Sequence, residues 1–325
     1  MSTGLAAFYF AVSLIATLYA ASVFANRLDH FGDRLGLPEA ILGLLTALAA
    51  DAPELSSAIF ALARGRHDVG LGVVVGSNVF NLAAMLGIPA LVAAPIVIRR
   101  ETLVLEGTLA LGAAGAVALF AFGVIPAWAV VTATAALFAL YVLLIVLAEE
   151  GGVPRRPRHR LRRALGERHR KAPTREPVSA AGVALMIGAA VAIVLGSMGM
   201  VHSALTLGGA AHIPDILVGT LLLAVLTSLP NAYTGVRLGL ARRGAALVSE
   251  AMNSNTINLI GGAAIPALFV TFDSSGLEKA DLVLLFALTA VTIVLLAART
   301  GMRRAGGVVL IAVWVAFVAT QVLVR

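Results

Sequence analysis

The 325-residue chain has no cysteine, so neither a disulfide framework nor a thiolate metal site is open to it. Charge is also scarce: Asp, Glu, Lys and Arg make up 13% of the residues, against about 25% in soluble domains. With 60% hydrophobic residues, such a chain cannot cover its surface with polar groups, and lipid must be part of its solvent. Histidine is confined to positions at or near loops, which leaves no imidazole in the core of a hydrophobic run. There is no Ser–His pair at matching depth, no H-E-x-x-H helix and no paired catalytic Asp motif, so the chain is not expected to be an intramembrane enzyme. Residues from Leu5 to Ala25 run apolar without the basic start and short core of a signal peptide, and read as a retained first helix.

What is present are runs of about 20 apolar residues from end to end, the length that crosses ~30 Å of hydrocarbon. They predict an all-α polytopic membrane protein with ten transmembrane helices, near 4–26, 37–63, 69–97, 102–124, 126–148, 179–203, 213–241, 244–270, 280–298 and 304–323. Residues 149–178 break the pattern with ten Lys and Arg, and read as a basic linker between a first five-helix repeat (1–148) and a second (179–325). Basic residues mark cytoplasmic loops. A cytoplasmic linker puts 19 of the 24 basic residues inside, with Arg27, Arg34, Arg99, Arg100, Arg242, Arg243, Arg299, Arg303 and Arg304 among them. Both termini of this multi-pass chain then lie outside, in what is read as a plasma membrane. The net charge of +7 becomes a topology signal with an affinity for anionic lipid, and no nucleic-acid partner is expected. The expected partners are inorganic cations and the bilayer, with the chain a monomer or a weak homo-oligomer.

Two hairpins match at a constant offset. ALAADAPELSSA (47–58) and VVVGSNVFNL (73–82) correspond to AVLTSLPNAYTG (224–235) and EAMNSNTINL (250–259). Pro53 matches Pro230, and Ser77, Asn78 and Asn81 match Ser254, Asn255 and Asn258. Five helices per half is an odd number, so the second half enters the membrane from the opposite side. Such inverted repeats build secondary transporters, with the ion site at the repeat interface near the bilayer midplane. The hairpin turns fall near Gly65 and Arg242. Glu54 is 11 residues from its turn, about 16 Å along a helix and so about half way through the hydrocarbon.

A carboxylate at that depth costs at least ~2.5 kcal/mol and marks a functional site by default. Asp51 and Glu54 are three residues apart, on one helical face. Pro53 between them removes a backbone donor and is expected to disrupt the helix, freeing carbonyls that a cation can satisfy. In the second half Thr227, Ser228 and Asn231 bring neutral oxygens to the equivalent face, and Ser77 with Asn81 and Ser254 with Asn258 form i, i+4 pairs. Ser and Asn also join membrane helices by hydrogen bonds, so a purely adhesive role for these residues competes with ligation. Glu250, about eight residues past its turn, is shallower and is read as either a pathway residue or an interfacial carboxylate. The oxygen-rich, sulfur-free inventory suits hard cations such as Na⁺, Ca²⁺ and Mg²⁺, and two carboxylates balance one divalent or two monovalent ions.

A Pro-Glu turn on one helix and Gly-Ser-Asn-x-x-Asn on the next, repeated in the second half, resembles the calcium/cation antiporter superfamily. Its sodium/calcium exchangers carry GTSLPE-like and GNxxGSN-like signatures in two repeats. Thr227-Ser228-Leu229-Pro230, Pro53-Glu54 and Gly76-Ser77-Asn78 carry the resemblance here. It implies a four-helix core of spans 2, 3, 7 and 8, with spans 1 and 6 as a sliding gating pair. The implied metal ligands are Ala50 (through its carbonyl), Asp51, Glu54, Ser77 and Asn81, with Thr227, Ser228, Asn231, Ser254 and Asn258. Exchangers carry a second Glu where this chain has Asn231, often Asp at Asn258, and Thr-Ser at Ala50-Asp51. The site charge is then about −2 instead of about −3, which departs from an exchange of three sodium ions for one calcium. The expected function is antiport, Ca²⁺ leaving in exchange for Na⁺ or H⁺ by alternating access, with the ions as cargo and no cofactor. A proton-coupled or monovalent cation exchanger and a non-transporting ion-sensing homologue are the alternatives.

Overall fold

The computed structural model describes residues 2–35, 39–150, 179–269 and 276–324, so most of the basic linker, residues 151–178, lies outside the described residues. The described chain is helical, with no strand beyond a single bridge between Ile96 and Met302. In chain order the helices are α1 (Thr3–Leu35), α2 (Glu39–Ala63), α3 (His67–Ala93), α4 (Arg100–Ala121), α5 (Ala127–Glu150) and α6 (Ala180–Ala210). They continue as α7 (Asp215–Thr227), α8 (Leu229–Leu240), α9 (Gly244–Leu259), α10 (Gly276–Leu296) and α11 (Arg304–Val324). Among the described residues, seven helices are long and apolar enough to cross a membrane, or eight if α7 and α8, bent by 45°, make one span. Two helices fall outside that set. α2 carries Asp51, Pro53 and Glu54, and α9 is 16 residues long and rich in Asn.

The helix starts at Thr3, His67 and Ala127 return at Ala180, Gly244 and Arg304, all at one shift. The turn after α2 repeats after α8 atom for atom. The Gly65 and Arg66 amides donate to Leu62 and Ala61, and the Arg242 and Arg243 amides donate to Gly239 and Leu238. Both are helix-closing turns that need a left-handed residue, and Gly65 and Arg242 supply it with φ of 71° and 54°. π-helical turns follow the Asn-containing segments of both halves, at Leu82–Gly87 and Ile260–Ala264. A third lies in α7 at Val218–Leu223.

Glycines set the closest approaches. A Cβ on Gly76 would overlap the Thr220 carbonyl oxygen, and one on Gly219 would overlap that of Val69. Further along, Gly235 and Gly239 meet Met85 and Pro89. α3 therefore runs parallel to α7 and α8 with backbones nearly touching, the small-residue packing typical of membrane interfaces, where burial in lipid-like surroundings gives little hydrophobic drive. α1 and α6 run antiparallel, Ser13 and Thr17 resting on Gly199 and Gly196. The loops near Val97, Gly244 and Gly301 meet at one end of the molecule. At the opposite end Arg66 pairs with Asp215 at 2.9 Å.

Two expectations need correction. α1 continues to Leu35 and α6 to Ala210, so Arg27 and Arg34 lie on the last turns of a helix and not in a loop. α2 is continuous across Pro53; the break appears only in the second half, at Ser228, ahead of Pro230. One missing backbone bond is tolerated in α2, where Pro53 is buried, its carbonyl accepts from Ser197 of α6 (3.4 Å) and Ala52 packs against Ala20, Ala21 and Ile193.

Candidate ion-binding site

α2 presents Asp51 and Glu54 on one face, 0% and 1% exposed. Every side chain that holds them comes from the second half of the chain. Ser228, in the break between α7 and α8, donates to Glu54 Oε1, and Asn258 of α9 donates to Glu54 Oε2 at 2.5 Å. Asn231 of α8 donates to Asp51 Oδ1 at 2.7 Å and lies 3.3 Å from both Glu54 Oε1 and Ser254 Oγ. Ser254 of α9 donates to Asp51 Oδ1 at 2.6 Å and accepts from Asn81 of α3 at 3.1 Å. Seven of the ten expected residues are thus one buried network: Asp51, Glu54, Asn81, Ser228, Asn231, Ser254 and Asn258.

The other three stand apart. The Ser77 hydroxyl donates to Val74 O at 3.2 Å and that of Thr227 to Leu223 O at 2.8 Å, each within its own helix. Both are fully buried beside the network. Ala50 lies one turn before Glu54 and brings no polar side-chain atom.

The donors of the network are spent on the carboxylates and on Ser254 Oγ, and its remaining acceptors are not satisfied. Asp51 Oδ2 and the Oδ1 atoms of Asn81, Asn231 and Asn258 are buried with no hydrogen-bond partner. Each such orphan costs about 1–3 kcal/mol, and four within one hydrogen-bond network is an unusual concentration. Acceptor oxygens gathered around two carboxylates are what a hard cation requires, and a cation in contact with them offsets the cost. Ser254→Ala is expected to leave the fold intact and raise the half-saturation for divalent cations about tenfold, read by equilibrium ⁴⁵Ca²⁺ binding, because Asp51 keeps only Asn231 to orient it.

Sequence reasoning missed two features. Asn255 Nδ2 donates to the Asn78 carbonyl at 3.1 Å, joining matched positions of the two halves. Glu106 of α4, 2% exposed, accepts from Tyr141 of α5 at 3.0 Å, and Asn253 of α9 donates to Tyr141 at 3.4 Å. An acid six residues into an apolar helix was the available signal for the second.

Comparison with known proteins adds four findings. The family model described as "Sodium/calcium exchanger protein" matches residues 5–148 and 181–323. A "Putative antiporter CaxA" of Alkalimonas amylolytica is 29% identical over 222 residues, covering 68% of this chain and 67% of that protein. The "Sodium/calcium exchanger MaX1" of Methanosarcina acetivorans is 30% identical over 112 residues, 34% of this chain and 32% of that one. A solved structure of the sodium-calcium exchanger NCX_Mj, soaked with 10 mM Na⁺ and 10 mM Sr²⁺, superposes with a TM-score of 0.64 over 98% of this chain and 99% of that one. At 19% identity that last likeness is one of fold.

Proposed function

This chain belongs to the sodium/calcium exchanger protein family, and on that premise we propose that it exchanges Ca²⁺ for Na⁺ or H⁺ at the Asp51–Glu54 site. The observation that carries the reading is the set of four unpartnered buried oxygens on a network centred on two carboxylates. The matched helix starts, turns and π segments support an architecture of ten spans in two inverted halves, with α7 and α8 as one span, and the ten Lys and Arg of residues 149–178 support a cytoplasmic linker between them. Basic loops gathered near Val97, Gly244 and Gly301 support a cytoplasmic placement of that end. The site lies where α2 and α3 of one half meet α7, α8 and α9 of the other. Motion of either half relative to the other alters access to it, and the α1–α6 pair is placed to follow, through the Ser197 bond to Pro53.

The charge count supports a two-for-one stoichiometry. Two carboxylates with neutral amides and hydroxyls balance one Ca²⁺, two Na⁺ or two H⁺, so the cycle carries the same charge in both directions. The same oxygens serve each ion in turn, and competition for them couples the two fluxes. In proteoliposomes, ⁴⁵Ca²⁺ uptake is expected under an outward Na⁺ or H⁺ gradient, and a potential set by valinomycin and K⁺ should leave the initial rate unchanged. The gradient that drives uptake identifies the coupling ion. Absence of uptake under both gradients contradicts Ca²⁺ as the substrate, and a rate that follows the imposed potential contradicts the two-for-one count.

A further inference from the structure

Glu106 is a buried carboxylate that the ion site does not use. Its link through Tyr141 to Asn253 crosses from α4 through α5 to α9, the helix that carries Ser254 and Asn258. Asn253 is 5% exposed and its Oδ1 has no hydrogen-bond partner, so an acceptor oxygen beside the Tyr141–Glu106 pair is unsatisfied. Glu250 lies three residues before Asn253 and four before Ser254, on the α9 face that leads to the site. Glu106 and Glu250 are each six residues into helices that start at Arg100 and Gly244, about 9 Å along the axis. Asp51 and Glu54 lie deeper, at about the level of Ser254, ten residues into α9 or about 15 Å.

The internal repeat makes this arrangement informative. At the offset that carries Pro53 onto Pro230, the counterparts of Glu106, Tyr141, Glu250 and Asn253 are Val283, Val318, Val73 and Gly76. All four are apolar or lack a side chain. A polar bond between the fourth and fifth helices is not itself special, because Gln321 of α11 donates to Asp281 of α10 at 2.8 Å in the other half. Among the described residues, the related set of α10, α11 and α3 carries apolar residues or glycine at the positions of the Glu106–Tyr141–Asn253 bridge and of Glu250. The positions one turn short of the site on α9, toward the basic end, therefore carry an acid and an amide, whereas their counterparts on α3 are Val73 and Gly76. Electrostatics supplies the reason. Arg99, Arg100, Arg242, Arg243, Arg299, Arg303 and Arg304 crowd the basic end and oppose the entry of a divalent cation. Among the described residues, the basic residues at the other end include Arg64, Arg66 and Lys279, and Arg66 is paired with Asp215.

Building on the antiport reading, we propose that Glu106, Asn253 and Glu250 form a transient cation site on the cytoplasmic approach, which loads the Asp51–Glu54 site past the arginine-rich loops. Tyr141 at this site gives a readout independent of transport, because a tyrosine in contact with a bound lanthanide sensitises its luminescence. In the purified full-length protein, Tb³⁺ emission excited through tyrosine is expected to persist in Glu54→Gln, to be lost in Tyr141→Phe, and to need at least tenfold more Tb³⁺ in Glu106→Gln/Glu250→Gln. In oriented proteoliposomes the double variant should raise the Ca²⁺ KM about tenfold at the cytoplasmic face only, with kcat unchanged. Asn253→Ala should shift the same face less, and serves if the double variant does not fold. Equal KM changes at both faces, or tyrosine-excited Tb³⁺ emission that does not respond to Glu106→Gln/Glu250→Gln, would overturn the proposal while leaving antiport standing. Absence of exchange in the wild type would instead count against the antiport reading, and the Tb³⁺ titration would still decide whether the site exists.

Discussion

Glu54→Gln is expected to abolish exchange while the protein still folds. Glutamine has the same shape, and the network can rearrange around it. Asn258 now donates to Oε2 and can present its unpartnered Oδ1 to the new amide, while Ser228 can still donate to the remaining oxygen. Removing a buried charge also relieves its insertion cost, so thermal stability should not fall. Ion binding has no such compensation. At about 4 Å and an effective dielectric near 20, one unit charge is worth about 4 kcal/mol to a monovalent cation and more to a divalent one. That is a loss of at least about 10³-fold in affinity at 1.4 kcal/mol per tenfold. Flux in proteoliposomes should drop below detection while the variant remains monodisperse in detergent. Retained flux would remove Glu54 from the mechanism.

Gly76→Val should damage the protein more broadly. The new side chain would meet the Thr220 carbonyl and lie within 2.9 Å of the Ala224 Cβ. Neither neighbour is the end of a flexible side chain, so α3 and α7 must separate. Overpacking of this kind costs about 1–3 kcal/mol where side chains give way, and more where backbones must move. Ser77 and Asn81 on α3 and Ser228 just after α7 would be pulled apart with the helices. A fall in thermal midpoint of several degrees together with loss of transport is expected, and Gly219→Val should behave alike through Val69. Gly188→Ala is the control: nothing lies within 4 Å of that position on α6, and stability should hold or rise slightly. Wild-type stability and flux in Gly76→Val would mean that the α3–α7 contact is not as close as described.

The parts of this architecture set by local chemistry were readable in the sequence. The equal spacing from Pro53 to Ser77 and from Pro230 to Ser254 located the turns at Gly65 and Arg242, where the left-handed residues lie. The polar positions of the hairpins likewise named all seven members of the network. What escaped was decided between elements. Both halves carry the same proline, yet only the second helix is broken, because α2 is held by α1 and α6 around Ala52. Ser77 and Ser254 are equivalent by sequence, yet only Ser254 faces a carboxylate. Its acceptor Asp51 has Ser228 as its own counterpart, and that hydroxyl is committed to Glu54, so Ser77 turns to its own helix. The Glu106–Tyr141–Asn253 bridge joins three helices from both halves of the chain, and no local pattern announces it.

The central claim is that one cation sits among Asp51, Glu54, Asn81, Asn231 and Asn258. The most direct test is an anomalous difference map from crystals of this protein soaked in Sr²⁺, a heavier stand-in for Ca²⁺. A single strong peak at about 2.3–2.6 Å from Asp51 Oδ2 and from a Glu54 oxygen, absent from Glu54→Gln crystals, is the predicted result. A principal peak elsewhere, or one that survives in Glu54→Gln, would contradict it.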